Sequence, residues 1–335
     1  MKKLAITLSI LPVAVLSAFA ISTANAQSGP TVKIDGSSTV FPITEAVAEE
    51  FQISKKNTIK VTVGISGTGG GFKKFCRGDI DVANASRPIL KSEMEVCAKA
   101  GIKYIEIPIA FDALTVAANS KNTFLKQLTV EQLKKIWEPD AQGKILNWNQ
   151  VEASFPDQKL KLYGAGSDSG TFDYFTEATV GKAKSSRGDY TASEDDNVLV
   201  QGITRDVGGL AYFGYAYYIE NKNKLRSIPI VNKQGKAVLP SEQSVIDGSY
   251  NPLSRPLFIY VSEKSLAKPE INEFANFYLK NASKLAKEVK YVPLPAKAYG
   301  LAQEHLDKKK LGTVFNGEQE IGVTIETLLK REGKL

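Results

Sequence analysis

One histidine, His305, and two cysteines, Cys76 and Cys97, are all that a chain of 335 residues holds of the strongest transition-metal ligands. Zinc sites built from four cysteines, or from two cysteines and two histidines, are therefore excluded. Any histidine-dependent catalysis must hang on a single residue. Past the N-terminus no stretch approaches the roughly 20 uninterrupted apolar residues that a membrane helix needs. Apolar residues themselves are not scarce. With 43% hydrophobic and 24% charged side chains, the chain lacks the bias of a disordered or fibrous protein. A chain of this length buries most of its unfolded surface and usually divides into two domains. The net charge of +7 is moderate and its signs are interspersed, and no nucleic-acid partner is expected.

The N-terminus sets the compartment. Met1-Lys2-Lys3 is followed by an apolar stretch from Leu4 to Ile21 and then by Ser-Thr-Ala-Asn-Ala-Gln. A basic start, an apolar middle and the small-residue ending Ala24-Asn25-Ala26 make a secretory signal peptide over 1–26, with cleavage after Ala26. A membrane anchor is the competing reading. It is weaker because Pro12 interrupts the stretch and a cleavage site follows directly. Export favours a disulfide between Cys76 and Cys97 over two buried thiols. Closing that loop would contribute roughly 3 kcal/mol in the chain-entropy account.

Strand-like and helix-like segments alternate along residues 27–335. Thr31–Ile34, Thr58–Ile65, Asp81–Ala85, Leu160–Tyr163 and Leu257–Val261 read as strands. Ile43–Phe51, Phe72–Cys76, Lys91–Ala100, Val130–Trp137 and 269–289 read as helices. Tyr104–Ala117 is one long extended run, and Gly209–Tyr218 carries a strand-pair signal. The alternation argues for α/β architecture with largely parallel sheets. No Pro- or Ser-rich linker separates the parts, so the domains are expected to exchange strands near 104–117 and 252–261.

Three strand-to-helix junctions share one chemistry. The first is Ile34-Asp35-Gly36-Ser37-Ser38-Thr39-Val40-Phe41-Pro42, the second Val63-Gly64-Ile65-Ser66-Gly67-Thr68-Gly69-Gly70-Gly71, and the third Leu162 to Thr171, LYGAGSDSGT. Each runs from a strand through Gly, Ser and Thr to an aromatic at the helix start. Glycine admits a ligand close to the backbone. A helix N-terminus offers unpaired N–H donors and partial positive charge. Three such turns converging on one point would cage a small tetrahedral oxyanion; singly, each reads as an ordinary capped helix. No junction matches a nucleotide P-loop or a dinucleotide fingerprint.

At these junctions the chain resembles the phosphate-binding proteins of Pst-type ABC transporters, the PstS family. The resemblance rests on GSSTVFP (36–42), SGTGGG (66–71), DIDVANASRPI (79–89), IPIAFDALTVAAN (107–119) and SDSGTFDYF (167–175). It implies a two-lobed periplasmic binding protein of the second type, each lobe α/β, with the anion held in the cleft. The first lobe would comprise 27–113 and 257–335, the second 114–256. It assigns donor roles to Ser38, Thr39, Ser66, Ser169, Gly170 and Thr171. Two positions depart from the family pattern. Many members carry aspartate directly after the serine at position 86, where this chain has Arg87. Many carry arginine shortly before the Ser-Gly-Thr, where this chain has Ala165 and Gly166. The exchange makes Arg87 a candidate for a bidentate contact to the anion, against a structural ion pair with Asp79 or Asp81. Asp168 becomes the nearest candidate acceptor for a proton of phosphate.

Other features carry less. Glu194-Asp195-Asp196-Asn197 reads as an acidic helix start and not as a calcium loop, so no metal is expected. Tyr212, Phe213, Tyr215, Tyr217 and Tyr218 read as packing on an alternating strand. Lys308-Lys309-Lys310 reads as a solvated face, and His305 as exposed. Ser169 lacks the base that a serine nucleophile needs, because no motif around the single histidine supports it. Together with the resemblance, these features imply a monomeric periplasmic receptor, without cofactor or catalysis. It would bind inorganic phosphate and deliver it to the membrane permease of an ABC transporter. The alternatives are a receptor for sulfate, arsenate or a phosphonate, and a secreted adhesion protein of the same fold.

Overall fold

The alternating segments build two mixed sheets in a computed structural model that describes residues 29–335. The segment read as a signal peptide, with the cleavage expected after Ala26, lies outside the described residues. The first sheet has the strand order Val292–Pro293, Tyr104–Ala113, Ser254–Ser262, Val82–Ala85, Thr31–Gly36, Lys60–Val63. The second has the order Leu225–Ser227, Thr115–Asn119, Gly209–Phe213, Lys161–Ala165, Thr191–Ser193. A small third sheet joins Leu128–Thr129, Ile230–Val231 and Ala237–Val238.

The expectation of largely parallel sheets is corrected here. The pairs around Thr31–Gly36 are parallel, but Ser254–Ser262 pairs antiparallel with both Val82–Ala85 and Tyr104–Ala113. The reason is topological: the chain leaves the first sheet along Tyr104–Ala113 and returns beside it along Ser254–Ser262. The long run expected at 104–117 breaks at Leu114, whose N–H donates to the Leu253 carbonyl at 2.8 Å. The two crossings therefore lie side by side.

Both faces of the first sheet are covered, which explains its nearly continuous apolar strands. All ten residues of Tyr104–Ala113 are buried. Leu257, Ile259 and Val261 pack on one face with Ile43, Val47, Phe51 and Phe274, while Phe258 and Tyr260 pack on the other with Phe72 and Phe75. The helices Phe41–Ser54 and Pro269–Glu288 meet where Phe51 stands edge-on to Phe274, ring centroids 5.3 Å apart.

Two further readings are corrected. Gly209–Tyr218 is a strand only to Phe213, and Tyr215–Glu220 is a helix. The Gly214 and Tyr215 N–H groups donate to the carboxylates of Asp196 and Asp112 at 3.2 and 3.0 Å, and those carboxylates turn the chain into the helix. His305 is fully buried, not exposed. The C-terminal helix Ile325–Glu332 covers it, with Glu332 Oε2 3.2 Å from His305 Nδ1 and the Glu332 carbonyl 3.1 Å from Nε2.

Cys76 and Cys97 form a disulfide that ties the helix Gly67–Arg77 to Lys91–Lys99. Replacing both by serine is expected to lower unfolding free energy by about 3 kcal/mol, from the loss of loop constraint. Urea denaturation checks this, and a loss below about 1 kcal/mol would assign the helix pairing to packing alone.

Candidate functional site

The helix Phe41–Ser54 starts directly after Thr39-Val40, with Pro42 in its first turn where no N–H is needed. The helix Gly170–Val180 starts at its cap Ser169, whose hydroxyl accepts from the Thr171 N–H at 3.1 Å. These two starts come from different lobes and meet. Thr39 Oγ1 and Thr171 Oγ1 are 3.0 Å apart and both fully buried. The third helix, Gly67–Arg77, takes the glycine run into its first turn, where the sequence reading placed a loop. Glycine is needed there for approach: a Cβ on Gly71 would fall 2.6 Å from the Gly36 Cα.

The second junction contributes Thr68, not Ser66. The Ser66 hydroxyl turns to Asp35 at 2.6 Å, inside its own lobe, because Asp35 is held there by Lys74 at 2.5 Å. Thr68 Oγ1 lies 3.2 Å from Ser86 Oγ. Both face Gly170 across the lobe boundary, so closely that a Cβ on Gly170 would stand 2.6 and 2.7 Å from them.

A fourth helix start completes the cluster. Asp195 caps Asp196–Arg205, and Asp196 is fully buried. Its Oδ1 accepts from the Ser38 hydroxyl at 3.2 Å, its Oδ2 from the Gly214 N–H at 3.2 Å. Burial pushes the Asp196 carboxyl up to about 7, with nearby Asp112 adding to the rise against those two bonds and Arg255.

The guanidinium at this point is Arg255, which sequence reasoning missed. It is 1% exposed and stands in register with Asp112 on the adjacent crossing strand. Its Nη2 donates to Thr171 Oγ1 at 2.8 Å, to Asp112 Oδ2 at 3.1 Å and, at 3.4 Å, toward Thr39 Oγ1; its Nη1 donates to the Gly170 carbonyl at 3.0 Å. Burial raises the Asp112 carboxyl, opposed chiefly by the Arg255 charge.

Two expected residues stand elsewhere. Arg87 makes no bond to the junction hydroxyls, nor to Asp79 or Asp81: Nε donates to Asp173 at 2.7 Å, and Nη1 and Nη2 donate to Glu93 at 2.9 and 2.8 Å. Ser86 and Arg87 follow a strand, and consecutive residues there point to opposite sides. Asp168 sits at the outer lip, where Lys73 donates to both its oxygens at 2.8 and 2.9 Å. Ser38, Thr39, Ser169, Gly170 and Thr171 are brought together; Ser66, Arg87 and Asp168 are not. Among the described residues no cluster of His, Cys, Asp and Glu suits a metal.

Helix starts from two lobes, converging on a buried guanidinium between hinge strands, define a bilobal solute-binding protein. A family model described as "PBP superfamily domain" matches residues 22–282. Protein SphX of Synechococcus elongatus is 57% identical over 97% of this chain and 96% of its own length. The phosphate-binding protein PstS of Staphylococcus saprophyticus is 41% identical over 84% of this chain and 87% of its own. The crystal structure of "a possible phosphate binding protein" from Planctomyces limnophilus superposes with a TM-score of 0.62 at 48% identity, covering 84% of this chain and 99% of that one. The chain belongs to the PstS family of the periplasmic-binding-protein superfamily.

Arg255→Met would leave Asp112 buried without its cation. The expected loss is about 3 kcal/mol of stability, partly restored by adding Asp112→Asn. Denaturant melts of the single and double variants check this; a double variant no more stable than Arg255→Met would show that the unpaired Asp112 charge is not the source of the loss.

Proposed function

We propose that this chain is an exported, periplasmic receptor that closes two lobes on inorganic phosphate and delivers it to the permease of an ABC transporter. One observation carries the reading: helix starts of both lobes meet at a buried arginine, with a buried carboxylate of raised pKa among them. The first lobe comprises 29–113 and 257–335, the second 114–256, with the paired crossings as hinge. The name and chemistry of the PstS relatives point the same way.

Each group has a role in this reading. Arg255 supplies a fixed positive charge. Ser38, Thr39, Thr68, Ser169 and Thr171 supply hydroxyls, and the helix starts supply N–H donors. Asp196 supplies what the departure at Arg87 removed, an acceptor for a proton of phosphate. Sulfate brings no proton at neutral pH, so an ionised Asp196 repels it with no bond in return. Catalysis has no support. Ser169 caps its own helix, and His305 is sequestered against Glu332. The receptor acts as a monomer, without cofactor, metal or nucleic acid.

The sign of the pH dependence follows from Asp196. Ionised, above about pH 7, it accepts from the P–OH group; protonated, below that, it donates to any oxyanion. Phosphate is therefore bound across the range, while sulfate binds increasingly as pH falls below about 7. Asp196→Asn is a permanent donor there. It should weaken phosphate at pH 8 by about tenfold or more and admit sulfate at every pH. Calorimetric titration of ligand-stripped protein at pH 8 and pH 6 checks both. Absence of phosphate binding overturns the receptor reading, and equal sulfate and phosphate heats at pH 8 overturn the role of Asp196.

A further inference from the structure

Arg87 makes no bond to the junction hydroxyls, yet its surroundings are built with care. The residue is 1% exposed. Four of its five N–H donors are engaged: two with the oxygens of Glu93, one with the Pro88 carbonyl at 3.1 Å, and Nε with Asp173. The guanidinium lies 5.8 Å from the Phe72 ring centroid. Glu93 is fixed in turn, because Leu90 N–H donates to its Oε2 at 2.9 Å. Phe72, Pro88, Leu90 and Glu93 all belong to the first lobe. The fork is therefore held in shape by its own lobe, with Nε turned outward.

Asp173 belongs to the other lobe. It lies in the first turn of Gly170–Val180, the helix whose start presents Ser169, Gly170 and Thr171. Its Oδ2 takes the Arg87 Nε–H at 2.7 Å, its Oδ1 has no hydrogen-bond partner, and its other cation, Lys184 Nζ, is 3.9 Å away on a half-exposed side chain. With the lobes apart, water would solvate Asp173. With the lobes together, Arg87 is, among the described residues, the only group that compensates its burial through a hydrogen bond.

We infer that Arg87 and Asp173 form an interlobe latch, preset on one lobe and engaged only on closure, that slows escape of the bound anion without touching it. The inference rests on the phosphate-receptor reading. Arg87 and Glu93 neutralise one another, as Asp173 and Lys184 do, so closure brings no net charge to the boundary. A buried pair of this kind gains little over water while intact, but removal of one partner is costly and is felt in the dissociation rate. The neighbouring interlobe pair, Lys73–Asp168, differs. Its side chains are 63% and 38% exposed, so it contributes little and serves as a control.

Stopped-flow kinetics of phosphate capture and release at pH 8 test this on the full protein. Asp173→Asn should release phosphate about tenfold faster, with association within about twofold of wild type and the preference for phosphate over sulfate unchanged. Lys73→Met should change release by less than about twofold. Arg87→Lys, which keeps the charge but cannot bridge Glu93 and Asp173 together, should fall between, and it replaces Asp173→Asn if that variant folds poorly. Wild-type release rates in both variants overturn the latch while leaving the receptor standing. Loss of anion preference in Asp173→Asn also overturns it, by making the pair part of the ligand contacts. A wild-type protein that binds no phosphate overturns the receptor reading and the latch with it.

Discussion

Arg255 and Asp112 lie opposite each other on the two strands that carry the chain between lobes, joined at 3.1 and 3.3 Å in full burial. A buried guanidinium needs a partner, and Asp112 provides it from the neighbouring strand. The pair leaves donors of Arg255 directed at Thr171 and Gly170 of the second lobe. Asp112 in turn takes the Tyr215 N–H, which anchors the helix after Gly214. The crossing strands, the helix starts at Thr39 and Thr171 and the second-lobe backbone are thereby tied to one ion pair. The helix starts then add positive potential around it, which a tetrahedral oxyanion can satisfy.

Much of this arrangement is legible in the residues. The three Gly-Ser-Thr junctions are local signals, and they meet as their chemistry suggests, through Thr39 and Thr171 and through Thr68 beside Gly170. The cysteine pair follows from compartment and count, and the bond is present. What escapes is long-range. Arg255 sits in the apolar strand SRPLFIYVS, and its partner Asp112 lies 143 positions earlier in an equally apolar run. Asp112 falls within the run IPIAFDALTVAAN, but nothing local to it or to Arg255 shows that the two pair. Asp196 reads as part of an acidic helix start, which it is, but nothing local shows that Ser38, 158 positions away, donates to it.

The position of Arg87 away from the junction hydroxyls has a specific physical cause. Position in a motif does not fix side-chain direction, and Ser86 and Arg87 diverge. Ser86 turns toward Thr68 and Gly170, while Arg87 turns toward Glu93 and Asp173. The guanidinium that meets the junction hydroxyls comes instead from a crossing strand, as Arg255, and the buried carboxylate beside them is Asp196 and not Asp168. The chemical parts thus come from different points of the chain. His305 shows the same limit, since only the fold of Ile325–Glu332 over it reveals its burial.

The central claim is that the oxyanion is held at the hinge arginine and not at the motif arginine. A crystal structure of the protein grown with phosphate tests it most directly. The account predicts a phosphate within about 3 Å of the Arg255 guanidinium, with Thr39 and Thr171 hydroxyls donating to it and an Asp196 oxygen accepting from it. A phosphate seated on Arg87 or Asp168, with Arg255 bound only to Asp112, would contradict it.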